Sequence, residues 1–99
     1  MKKPDLKLPL AELARAGWKT SAKKIVKNYE FKGFEDAFAF MTRCALDIEK
    51  VDHHPEWLNV YNKVNVELST HSAGGVTMKD VQLAKIMDKI AKQFSAKSK

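Results

Sequence analysis

Apolar and polar positions repeat with changing periods along the 99-residue chain, and each period predicts an element. In "PLAELARAG", Leu10, Leu13 and Ala14 stand at helical spacing, and Gly17 supplies a C-terminal stop. From Trp18 the pattern loosens. In "WKTSAKKIVKNYEFK", Ile25, Tyr29 and Phe31 fall mostly on alternate positions, with lysine and glutamate between them. That period predicts a strand, half of a hairpin whose turn lies near Ser21 to Lys23.

The strongest helical signal runs from Gly33 to Asp52. Phe34, Phe38, Met41, Ala45 and Ile48 follow at intervals of 4, 3, 4 and 3, the spacing of a helical seam. Ala37, Phe40, Cys44 and Val51 fill the neighbouring stripe, so at about 100° per residue the apolar arc spans roughly 160°. One sheet face buries about 100° of a helix. The surplus predicts a further contact, with a second subunit or with the other helices.

After Pro55, Leu58 and Val60 alternate with Asn59, and Val64, Val66 and Leu68 alternate with Asn65 and Glu67. This predicts a second antiparallel hairpin with its turn at Asn62–Lys63. In "GGVTMKDVQLAKIMDKIAKQF", Thr77 and Asp80 have the N-cap and N3 spacing of a capping box, with Val76 and Val81 placed to staple across it. Leu83, Met87, Ile90 and Phe94 then form an apolar stripe, widened by Ala84 and Ala91. The tail "SAKSK" is expected to fray. The order helix, hairpin, long helix, hairpin, helix predicts an α+β fold, a four-stranded antiparallel sheet covered on one face by three helices.

Composition narrows the function. The length suits one domain over residues 1–99, and a domain this small gains burial by oligomerising. The net charge is +6, but the lysines are spread through "MKK", "KTSAKK", "KNYEFK" and the last helix. Such dispersion marks solubility charge and argues against nucleic acid as a partner. Cys44 is the sole cysteine, which excludes an intrachain disulfide and a zinc ribbon and suits a reducing compartment. No apolar run has membrane-spanning length, and "MKKPDLKLPL" lacks the core of a signal peptide. The expectation is a soluble cytoplasmic protein with no membrane partner.

The candidate chemistry lies in "DHHPEW" and "STHSAGG", which hold all three histidines. His53 and His54 follow the long helix, and Pro55 forces His54 into an extended conformation. A hairpin running out from Pro55 and back returns His71 towards the same end of the sheet. Imidazole supplies both protonation forms near neutrality, so such a cluster suits proton transfer. Glu49 and Asp52 are placed to orient a ring or hold its charge. A metal site fits less well, because paired helical ligands need i, i+4 spacing and these two are adjacent. Loop histidines with no task remain the third reading. Ser69, Thr70 and Ser72 offer hydroxyls, and the glycines admit a ligand to the backbone. Trp18 and Trp57 read as core or rim aromatics.

The segment "EKVDHHPEWLNVYNKVNVELSTH", residues 49–71, closely resembles the signature of the pterin-4a-carbinolamine dehydratases. The likeness extends to "GW" at 17–18, "FEDAFAFMTRCAL" at 34–46 and the final helix from "KDVQLA". The resemblance implies an α+β domain that assembles as a homodimer or homotetramer through the long helix, residues 33–52. It implies dehydration of a 4a-hydroxytetrahydropterin to the quinonoid dihydropterin, in recycling of the cofactor of aromatic amino-acid hydroxylases. No metal and no cofactor of the protein's own is implied. His53, His54 and His71 match the three family histidines as catalytic residues. Asp52, Ser69, Thr70 and Ser72 match positions lining the pterin site, and Glu49, Trp18, Pro55 and Asp80 match shared positions of less defined role. Animal relatives also act as dimerisation cofactors of a transcription factor, so an interaction module is the alternative function. Ala73 stands where those relatives tend to carry cysteine.

Overall fold

The computed structural model describes residues 6–94 and the short strand at Lys97–Ser98. The chain runs α1 (Lys7–Arg15), β1 (Lys19–Thr20), β2 (Ile25–Glu30), α2 (Phe34–Val51), β3 (Glu56–Val60), β4 (Lys63–Leu68), a 3₁₀ turn at His71–Ala73, α3 (Met78–Gln93) and β5 (Lys97–Ser98). The strands form one antiparallel sheet in the order β1-β2-β4-β3. The tail expected to fray instead adds β5 to β2, opposite Tyr29 and Glu30; residues 95, 96 and 99 lie outside the described residues.

Local chemistry sets the element ends. α1 closes in a Schellman arrangement: Gly17 takes φ 103°, its N–H donates to Ala14 O, and Trp18 N–H donates to Leu13 O. The accompanying apolar pair, Leu13 and Trp18, is buried. At the end of α2, Asp52 adopts the left-handed conformation (φ 51°, ψ 47°), which Asp tolerates better than most side chains. The capping box opens α3: Thr77 caps with its hydroxyl, and the Asp80 carboxylate accepts from the Thr77 N–H at 2.9 Å.

The β3–β4 turn is Tyr61–Asn62, with Val60 opposite Lys63 and Tyr61 at φ 52°. This corrects the expected turn at Asn62–Lys63 by one residue. Asn62 is held elsewhere: its amide donates to Phe31 O and its carbonyl accepts from Phe31 N–H.

Alternation decides which sheet face is covered. Ile25, Lys27 and Tyr29 of β2 pair with Leu68, Val66 and Val64 of β4, and all six side chains are buried beneath the helices. α3 packs against both α1 and α2. Phe40, fully buried, stacks near Tyr29 and Phe31 with centroids 5.0 and 4.9 Å away; such burial stabilises by about 1.5–3 kcal/mol. One buried cluster is polar. Lys27 Nζ donates to Ala16 O (2.7 Å) and Asp88 Oδ1 (2.8 Å), while Tyr29 Oη and Trp18 Nε1 also donate to Asp88.

The wide apolar arc of α2 is divided between the core and the surface. Ala37, Phe40, Cys44 and Ile48 are buried, whereas Phe34 and Phe38 are 50% and 54% exposed and Ala45 is exposed. The core-facing line takes Ala37, Phe40 and Cys44 from one stripe and Ile48 from the other, while Val51 is exposed. The surplus apolar arc lies open along Phe34 and Phe38, whose rings pack on each other at 5.7 Å.

Candidate active site

The left-handed turn at Asp52 swings the chain off α2, and the two adjacent histidines leave in different directions. His53 Nε2 lies 2.5 Å from Asp80 Oδ1 across 27 residues of sequence. The His53 side chain is 12% exposed and that of Asp80 is 0% exposed. His54 Nε2 turns back to α2 and meets Glu49 Oε1 at 2.9 Å, with both side chains open to solvent. An exposed pair of that kind contributes little to stability.

Asp80 is the hub. Its second oxygen, Oδ2, accepts from Thr70 Oγ1 at 2.7 Å and from Thr77 N–H at 2.9 Å. A buried lone carboxylate costs several kcal/mol, and these donors together with the imidazole offset that cost. The same carboxylate therefore begins a helix and anchors a ring.

Thr70 is buried and leads directly into the loop that carries His71. The loop closes on itself: Thr70 N–H donates to Gly75 O (2.8 Å), Gly75 N–H to Thr70 O (3.3 Å), Ala73 N–H to Thr70 O (3.0 Å) and Gly74 N–H to His71 O (3.0 Å). Gly74 has φ 68°. Gly75 packs against the β1–β2 turn so closely that a Cβ there would sit 2.5 Å from Ala22 O, and Val76 N–H donates to that same oxygen at 2.9 Å. The turn thus braces the loop. His71 and Ser72 are exposed and Ser69 is half-buried. The His71 ring makes no hydrogen bond to a described residue.

The structure brings together His53, Thr70 and Asp80, with His71 one residue beyond Thr70. Asp52 is exposed, and the His53 and His54 rings hydrogen-bond to other carboxylates. Glu49 does hold a ring, that of His54, whereas the carboxylate on His53 is Asp80 and not Asp52. Pro55 is half-buried and leads into β3. Trp18 lies outside the cluster, buried in the core with its indole N–H on Asp88. Thr77 was visible in the sequence only as a cap; an Asp at N3, where Glu or Gln is usual, is the one sequence signal of its second role. Among the described residues no three His, Cys, Asp or Glu side chains gather as a metal site. An apolar cavity of about 550 Å³ borders the same loop, walled by Leu6, Leu10, Ala22, Val76 and Met78, and no histidine lines it.

The family described as "Pterin 4 alpha carbinolamine dehydratase" matches residues 1–90. Relatives provisionally named pterin-4-alpha-carbinolamine dehydratase occur in Afipia carboxidovorans (52% identical over 80 residues, 79% of this chain and 80% of that protein) and Bordetella avium (48% over 92 residues, 93% and 85%). A crystal structure described as a transcriptional coactivator/pterin dehydratase from Brucella melitensis superposes with a TM-score of 0.79 at 42% identity, over 91% of this chain and 99% of that one. A pterin dehydratase-like protein identified as a RuBisCO assembly factor in the alpha-carboxysome shares the fold at 20% identity and TM-score 0.62, over 75% of this chain and 86% of that one.

Proposed function

The chain belongs to the pterin 4 alpha carbinolamine dehydratase family, and from that premise we propose that it dehydrates a 4a-hydroxytetrahydropterin by histidine acid–base catalysis. The observation that carries this reading is His53, held by a buried carboxylate yet still reachable from solvent. In the reaction the C4a–O bond breaks, N5 loses its proton, and the N5 pair forms the C4a=N5 bond of the quinonoid dihydropterin. A neutral imidazole takes the N5 proton, and a protonated one delivers a proton to the departing hydroxyl, which leaves as water. His53 and His71 do most of this transfer; His54, tied to Glu49, orients the pterin. Asp52, Ser69 and Ser72 line the substrate. Each proton transfer of this kind is worth about 10²–10⁴-fold in rate.

The same reading includes one domain over residues 1–99, a cytoplasmic location suited to the free buried Cys44, and recycling of the pterin for an aromatic amino-acid hydroxylase. No helix among the described residues is long and apolar enough to cross a membrane. The open Phe34–Phe38 face of α2 supports a homodimer or homotetramer through that helix. A second reading uses the same face to dock a different protein, in the manner that the coactivator name of the Brucella relative suggests.

The test follows decay of chemically generated 4a-hydroxytetrahydropterin. Wild type should accelerate it well beyond a His53→Ala, His71→Ala double variant, and His54→Ala should raise KM more than it lowers kcat. Equal decay with wild type and double variant would end the enzyme reading.

A further inference from the structure

The hydrogen bonds around Asp80 run in one direction only. A threonine hydroxyl has a single hydrogen to give. Thr70 gives its hydrogen to Asp80 Oδ2 (2.7 Å). The 2.7 Å contact between the Thr70 and Thr77 hydroxyls must then have Thr77 as donor. Thr77 Oγ1 in turn accepts from Lys79 N–H at 3.3 Å, and Thr77 N–H donates to Oδ2 at 2.9 Å. Asp80 as a carboxylate has no hydrogen to give and can only accept, at Oδ1 as at Oδ2. The atom facing Oδ1 is His53 Nε2, so that nitrogen is the donor.

We propose that Thr70 and Thr77 are positioning residues which, through Asp80, hold neutral His53 as its Nε2–H tautomer and leave Nδ1 as the nitrogen that exchanges protons with substrate. Nδ1 has no partner among the described residues. No buried side-chain nitrogen or oxygen there lacks one, so Nδ1 reaches the surface. The inference also reassigns Thr70: its hydroxyl is spent inside the network and is not offered to the pterin. The chain of donors starts at the first turn of α3, so the cap of that helix and the tautomer of the ring are fixed by one set of bonds.

The inference rests on the dehydratase reading for its substrate, but the tautomer can be read without any substrate. Long-range ¹⁵N–¹H correlation spectra of the histidine rings, taken through a pH series to the neutral form, should show the His53 proton on Nε2. Thr70→Val keeps the Thr77–Asp80 box but removes the donor. It should show mixed tautomers, and kcat should fall about tenfold or more while KM stays within about twofold. Thr70→Ser, which restores the hydroxyl, should behave as wild type. A wild-type ring protonated on Nδ1 overturns the inference, whatever the variants do. So does a folded Thr70→Val protein with both tautomer and kcat unchanged. The expected tautomer in a protein with no dehydratase activity would uphold the bond chain and sink the dehydratase reading instead.

Discussion

Replacing Asp80 by asparagine separates the two tasks assigned to one carboxylate. Asn can place its amide oxygen where Oδ2 stood and keep the bonds from Thr70 and Thr77 N–H. Its NH₂ then occupies the Oδ1 position, 2.5 Å from a ring nitrogen that is itself a donor. The ring must turn or change tautomer. The lost charge-assisted bond is worth about 1.5–3 kcal/mol, and the cap, worth about 1 kcal/mol more, survives. Stability should therefore fall by about 2 kcal/mol out of the roughly 5–15 kcal/mol usual for a domain. That is about 8–16 °C in Tm for a chain of this size. Activity should fall much further, by about 10²–10⁴ in kcat, the worth of a general base that can no longer present Nδ1. Thermal melts by circular dichroism and single-wavelength decay of the carbinolamine at saturating substrate would measure both. A folded Asp80→Asn protein with kcat within about threefold of wild type would show that Asp80 is only a helix cap. Asp80→Ala, which strands three donors and leaves Thr77 to cap α3 without its N3 partner, should cost about 3–5 kcal/mol and serves as the stability contrast.

Gly75→Ala pushes a methyl to 2.5 Å from Ala22 O and should cost about 1–3 kcal/mol; an unchanged denaturation midpoint would mean the loop is not braced there. The proposed homo-oligomer should become monomeric by light scattering on the double change Phe34→Ser, Phe38→Ser, and a wild type that is already monomeric at micromolar concentration would remove that role from α2. Burial, with Asp47 adding and Arg43 opposing, pushes the Cys44 thiol up from 9.0 to about 12. The folded state thus keeps a proton that the unfolded chain releases, so stability should fall as pH rises from about 9 towards 12, by up to about 1.4 kcal/mol per unit. Tyr29, also held up by burial and by Asp88, should add a fall above its ordinary 10.0. Cys44→Ala should remove the thiol's part of that slope, and parallel stability curves for the two proteins between pH 9 and 11 would contradict it.

What the sequence made legible was what neighbours in the chain decide. The capping box, the Gly17 stop and the strand alternation involve residues within a few positions of each other, and all appear in the structure. The face of α2 was not legible. A 160°-wide stripe shows that the helix is doubly apolar but does not say which part meets its own sheet; Ala37, Phe40, Cys44 and Ile48 take that place and leave Phe34 and Phe38 outside. The return of the chain to the His53 end of the sheet was legible, because a hairpin imposes it, and Thr70 there reaches the carboxylate that holds His53. The partner of His53 was not, since the nearer carboxylates Glu49 and Asp52 compete for it in sequence, and only the tertiary fold brings Asp80 in from α3.

The Lys27–Asp88 cluster has a consequence for how the sheet chooses its alignment. Sliding β2 by one residue along β4 would turn Ile25, Lys27 and Tyr29 outward and send Val26, Asn28 and Glu30 inward. Asp88 would lose its cation and its phenol donor together. On α3 it would face the sheet without that cation while a glutamate turned inward, at a cost of several kcal/mol. The ion pair adds little to the correct pairing that an apolar pair would not. Its effect falls on the wrong one, which it makes too costly to persist, so the polar cluster acts as a proofreader of strand alignment.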